Sequence, residues 1–177
     1  MALDSMQEIF EKAAAGQIPF WQVILETDME QRQVTAEQSM EKMRITWQAM
    51  LESVTAYQGT ERSRSGLVGG DGEKMRQYVE NGKGLCGAYL REVVATALSV
   101  GESNACMRKI VAAPTAGACG VLPAVLVPLY QAGMVSEEQI LQALYAASGI
   151  GAVIGYRACI AGAAGGCQAE IGTASAM

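Results

Sequence analysis

TAEQSMEKMRITWQAMLESVTAY, residues 35–57, decides the fold class. Its apolar residues Met40, Met43, Trp47, Met50, Leu51 and Val54 recur at steps of three and four. That spacing lays them on one face of an α-helix, whereas a strand would alternate every second residue. Thr35 and Gln38 stand at the capping-box spacing, where each side chain satisfies the other's backbone N–H. The stretch predicts one long amphipathic helix over 35–57. Working outward, Ser5 with Glu8 and Ser136 with Gln139 repeat the cap spacing. A shorter helix is expected over Pro19–Glu30, with proline near its first turn. Two more are expected over Gly72–Asn81 and Leu85–Val100, separated by Gly82-Lys83-Gly84. No segment alternates apolar and polar residues over a useful length. The expected fold is all-α: a compact helical domain with apolar central helices and Gly-rich connecting loops.

Composition divides the chain at residue 58. Nineteen of the 20 glycines and all five cysteines follow it, while residues 1–58 carry 9 acidic and 4 basic residues in helical patterns. One domain over 1–177 is expected, with an amphipathic part (1–58) and a Gly-rich core part (59–177). From Ala113 to Met177 the charged residues are Glu137, Glu138, Arg157 and Glu170, so this part reads as a buried, closely packed core. Ile110–Ser136 and Gln139–Tyr156 carry no charge and are long enough to raise a membrane span. Pro114, Pro123 and Pro128 interrupt the first, and no Lys/Arg flanks or aromatic belts bracket it. Helices without a polar face also form the centre of helical domains, and small residues at 146–152 allow close helix packing.

The net charge of −5, with no block of basic residues, argues against nucleic acid or an anionic membrane surface as partner. The acidic, helix-like N-terminus has no secretory n- or h-region, which gives a cytoplasmic expectation. In that setting the cysteines at 86, 106, 119, 159 and 167 read as free thiols or metal ligands rather than disulfides. The absence of histidine excludes a Ser-His-Asp or Cys-His pair, and an imidazole-ligated zinc, supplied by this chain.

Three glycine-rich segments carry the candidate chemistry. Ser63–Lys74 (SRSGLVGGDGEK) runs into a helix, so its N–H groups can cradle an anion such as a carboxylate, with Arg64 and Lys74 adding charge. Equally, it can be a plain interhelical loop with Asp71 as N-cap. Asn104–Gly120 (NACMRKIVAAPTAGACG) sets Thr115 and the N–H groups of residues 116–120 at a helix start. Its bland reading is a buried connector. Ala161–Gly172 (AGAAGGCQAEIG) places Cys167 after two glycines, where backbone can approach a bulky inorganic group. Glu170 lies in an otherwise apolar run and needs a partner, for which Arg157 is a candidate. A lone buried cysteine is otherwise a small apolar residue.

Together SGLVGGDGEK (65–74), NACMRKIVAAPTAGACGVLP (104–123) and AGAAGGCQAEIGTASAM (161–177) resemble the α, or catalytic, subunit of the iron–sulfur-dependent L-serine dehydratases, in the family's order and near its spacing. The resemblance implies an all-helical domain holding a 4Fe–4S cluster by three cysteines, with one iron open to substrate. It implies conversion of L-serine to pyruvate and ammonia without pyridoxal phosphate, and a β subunit or domain as partner. The open iron would act as a Lewis acid on the serine hydroxyl while a base removes the α-proton. Cys167 maps onto one cluster ligand, and the other two fall beyond residue 177. Ser63, Ser65, Asn104, Thr115, Ala116 and Gly117 are the substrate-binding candidates, and Lys74 and Glu170 the candidate bases. Cys119 stands where relatives carry alanine; Cys86, Cys106 and Cys159 match no ligand motif and are expected in the core. The family pattern Met-Gly-Arg-Ile is replaced by Met107-Arg108-Lys109-Ile110, and a family glutamate by Ala164. The rival expectations are a catalytically silent apo domain of the same fold that self-associates, and a small membrane protein.

Overall fold

The structure is a computed structural model that describes residues 3–82 and 86–177. Among the described residues there are eight α-helices and no strand: α1 Met6–Gly16, α2 Phe20–Arg32, α3 Ala36–Thr55, α4 Asp71–Glu80, α5 Ala88–Ala105, α6 Val121–Gln131, α7 Glu137–Arg157 and α8 Gly162–Ala176. The all-α expectation holds. The expected break at Lys83-Gly84 and the helix start at Leu85 lie outside the described residues. The chain divides into two compact units, Met1–Trp47 with Ser136–Met177, and Gln48–Val135. The compositional boundary at residue 58 falls inside the second unit.

In the first unit, α1, α2 and α7 bury Ile9, Val23, Ile24, Tyr145 and Val153, with Met40 and Met43 of α3 packed against them. The caps form where the sequence puts them. The Thr35 N–H donates to Gln38 Oε1 at 3.0 Å and the Gln38 N–H to Thr35 Oγ at 3.3 Å. Ser136 and Gln139 close the same reciprocal pair ahead of α7. At Ser5 half the box forms: its hydroxyl accepts the Glu8 N–H, while the Glu8 carboxylate turns to the Asp4 N–H. Gly149 gives α7 its close approach to α2, since a β-carbon there would lie 2.4 Å from Ile24 Cδ1. The apolar stripe of α3 is buried at Trp47, Met50 and Val54.

In the second unit, α5 packs against α4 on one side and α6 on the other. A β-carbon at Gly120 would stand 2.8 Å from the Ala97 carbonyl oxygen, so the chain entering α6 rests on the α5 backbone. Pro123 sits in the first turn of α6, where its missing N–H leaves no bond unmade, and Pro128 is accommodated inside the helix. No helix among the described residues is long and apolar enough to cross a membrane.

The last glycine-rich stretch departs from the buried core expected of it. Ala163–Gln168 are exposed, and Ile171 remains 48% exposed. Alanine and glycine offer little apolar area, so an uncharged run of them has weak drive to leave water.

Candidate functional site

The first glycine-rich segment is held by a residue that sequence reasoning passed over. Glu102, in the last turns of α5, is 6% exposed. Its carboxylate accepts the backbone N–H groups of Gly70 at 3.1 Å, Asp71 at 2.6 Å and Gly72 at 3.3 Å. The Tyr57 hydroxyl donates to the same carboxylate at 2.5 Å and accepts the Glu73 N–H at 3.1 Å. The donors at the start of α4 are thus satisfied from within the chain, as a buried carboxylate requires. This corrects the expectation that these N–H groups stand open to a substrate carboxylate. It also corrects Asp71 as N-cap: Gly70, with φ +82°, takes that position. Asp71 lies inside the first turn and pairs with Lys74 at 2.8 Å, which holds the Asp71 carboxyl below its usual pKa. Glycine is needed at 72, where a β-carbon would meet Ser99 Oγ at 2.7 Å and Tyr57 Oη at 3.0 Å. Burial, with the Glu102 bond second, pushes the Tyr57 hydroxyl up to about 12.

The same segment forms a tight turn. The Ser63 and Ser65 hydroxyls lie 3.1 Å apart, Ser63 Oγ accepts the Val68 N–H at 3.1 Å, and the Ser63 N–H donates to the Val68 carbonyl at 2.8 Å. Ser65 is exposed and Ser63 half-buried. Lys74 is exposed, its ammonium engaged by Asp71.

In the second segment, residues 108–115 link α5, without regular secondary structure and with a bend and cis peptide at Ala113-Pro114, to a short 3-10 turn at Ala116–Ala118. The Asn104 amide donates to the Ala116 carbonyl at 3.0 Å, so the structure brings Asn104 together with the Thr115–Gly117 turn. Thr115 heads the turn in extended conformation; the long helix α6 begins only at Val121. The two residues that depart from the family pattern face outward. Arg108 pairs with Glu61, and Lys109 with Glu52 at 2.8 Å. Surface pairs of this kind contribute about 0–1 kcal/mol.

Cys167 and Glu170 belong to the first unit. Gly166 has φ +70° and ψ 179°, a conformation reserved for glycine, and it kinks α8 immediately before Cys167. A β-carbon at Gly165 would stand 2.5 Å from Ala169 Cβ, so internal crowding accounts for the first glycine of the pair. Cys167 is exposed. The Glu170 carboxylate folds back over the start of α8, where a β-carbon at Gly162 would touch its Oε2 at 2.5 Å. Arg157 donates to the Asp4 carbonyl at 2.8 Å. The core expectation for the remaining thiols needs correction: Cys86 and Cys159 are exposed and Cys106 half-buried, because they lie at helix ends and links. Cys119 alone is buried, and burial raises its pKa.

An accessible thiol at a glycine kink suits one thiolate donor of an iron–sulfur cluster. Among the described residues no group of three or more Cys, Asp or Glu is arranged to hold a metal ion.

The described residues thus form a helical chain with glycine turns at 63–72 and 115–120 and a thiol on a glycine kink. The model of the serine dehydratase alpha chain family matches residues 15–177, and the chain belongs to that family. It is 35% identical over 173 residues to the probable L-serine dehydratase, alpha chain, of Bacillus subtilis (strain 168), covering 98% of this chain and 58% of that one. It is 34% identical over 176 residues to the L-serine dehydratase, alpha chain, of Peptoniphilus asaccharolyticus, covering 99% and 60%. A shorter match, 46% over 82 residues, links it to L-serine dehydratase TdcG of Escherichia coli (strain K12), covering 46% of this chain and 18% of that one. The chain therefore spans about three fifths of the alpha chains it matches along nearly its whole length. No solved structure matches it.

Proposed function

We propose that the chain acts in the α subunit of a cytoplasmic iron–sulfur L-serine dehydratase, which converts L-serine to pyruvate and ammonia together with a β subunit. The observation that carries this reading is the family match over residues 15–177, with relatives named L-serine dehydratase alpha chains. In this reading Cys167 is one thiolate ligand of the cluster. When bound, a 4Fe–4S cluster with an open iron supplies Lewis acidity at the substrate hydroxyl. The chain's own residues bind and orient. Ser63 and Ser65 offer hydroxyls on a turn closed by hydrogen bonds between Ser63 and Val68. Asn104 ties down the carbonyl of Ala116, fixing Thr115 and Gly117 beside it. Lys74 and Glu170 are the candidates to take the α-proton; Lys74 is the more exposed, and its ammonium is paired with Asp71. The test is anaerobic reconstitution of the complete α subunit with its β partner in iron and sulfide. Pyruvate should form from L-serine. A reconstituted complex that binds iron yet forms no pyruvate would overturn the reading.

A second reading, a silent association domain of the same fold, draws on Leu90, Val94 and Leu98, which are 49%, 41% and 39% exposed along one face of α5. Self-association without pyruvate formation would favour it.

A further inference from the structure

We propose that Glu102 is a positioning residue: through its bonds to the N–H groups of Gly70, Asp71 and Gly72, it sets the conformation of the Ser63–Lys74 segment. The proposal rests on the reading above, in which that segment meets L-serine.

Three observations converge on it. Glu102 reaches the loop from 30 to 32 residues away in sequence, so the contact is tertiary and carries information that the loop's own residues do not. Its carboxylate is buried, and every neighbour in hydrogen-bond range is a donor. The segment needs that outside support, because Gly69 and Gly70 have φ +137° and +82°, values other residues rarely adopt, and glycine is the least restricted residue in an unfolded loop. Two oxygens accepting four bonds turn a flexible glycine run into a fixed one. Ser63 and Ser65 sit five or more residues upstream of Gly70, joined to it through the turn closed between Ser63 and Val68. Losing the clamp should therefore misplace the hydroxyls without removing any of them. Glutamine at 102 keeps the shape but turns an NH2 toward N–H groups, so one cluster of donors faces another.

The test uses the reconstituted enzyme carrying Glu102→Gln, with Tyr57→Phe as a milder variant should the first fail to fold. Ser63→Ala and Ser65→Ala serve as controls for the segment itself. Two quantities are measured: hydrogen exchange of the amides of residues 70–73, and KM and kcat for L-serine. The loss of a charge-assisted bond predicts exchange faster by about tenfold or more, and a KM raised by about tenfold with kcat changed far less. Replacement by aspartate, which keeps the charge on a shorter arm, should restore part of both. Unchanged exchange in Glu102→Gln would overturn the proposal. So would faster exchange with KM unchanged while Ser63→Ala or Ser65→Ala raises KM, an outcome that leaves the segment's role standing. If neither serine variant alters KM, the segment does not meet substrate, and the proposal falls together with that reading.

Discussion

The Tyr57 hydroxyl and the Glu102 carboxylate, 45 residues apart in sequence, meet at 2.5 Å at the start of α4. Tyr57 closes the last helical donor of the α4 start through Glu73, and Glu102 closes the three before it. Replacing Tyr57 by phenylalanine leaves a buried carboxylate one donor short and the Glu73 N–H without its acceptor. The expected loss is about 1–3 kcal/mol, read from urea unfolding. An unfolding midpoint equal to that of the parent chain would contradict it.

The same hydroxyl makes a pH prediction. Its pKa is raised in the folded chain to about 12, from an ordinary value of 10.0. A group that holds its proton more tightly when folded stabilises the fold fully below its unfolded pKa, and loses that contribution as pH rises through the folded pKa. The parent chain should therefore lose stability between pH 10 and 12 more steeply than Tyr57→Phe, which has no hydroxyl to ionise. Parallel curves would speak against the assignment.

Glycine substitutions should separate by mechanism. At Gly120 a β-carbon meets the Ala97 carbonyl, a backbone atom that cannot swing aside, so Gly120→Ala should cost about 1–3 kcal/mol. Gly101, inside α5 with open space around its β position, should become more stable as alanine by about 0.5–1 kcal/mol. Denaturation midpoints of the two variants should move in opposite directions; a shift the same way in both would disprove the packing at one site.

Thiol accessibility gives a fourth check. In the metal-free chain Cys86, Cys159 and Cys167 are exposed, while Cys119 is buried with its thiol pKa raised. Alkylation followed by peptide mass spectrometry should modify those three first and Cys119 last, since the thiolate is the reacting form. Early labelling of Cys119 would mean that the second unit opens readily.

The helices were legible because their signals are local. The Thr35/Gln38 and Ser136/Gln139 boxes and the Met40–Val54 stripe each need a few neighbouring residues, and each formed as read. The candidate site was legible only in part. Nothing near Gly70 in sequence announces Glu102, because the bond that fills the cradle spans 32 residues; the available hint was a carboxylate directly after the uncharged run 93–101 of α5. The exposure of Ala163–Gln168 was misread for a different reason. Absence of charge does not imply burial there, because small side chains gain little from it. The double glycine was expected to admit an inorganic group, and within the chain it is accounted for by crowding at Gly165 and backbone conformation at Gly166.

The assignment of Cys167 as a cluster thiolate is tested most directly by the iron content of the reconstituted enzyme carrying Cys167→Ser, compared with Cys159→Ser, which removes another exposed thiol eight residues away. The account predicts that Cys159→Ser retains iron, sulfide and the visible absorption of the parent enzyme, while Cys167→Ser loses most of all three. A Cys167→Ser enzyme with its full complement of iron and unaltered absorption would contradict it.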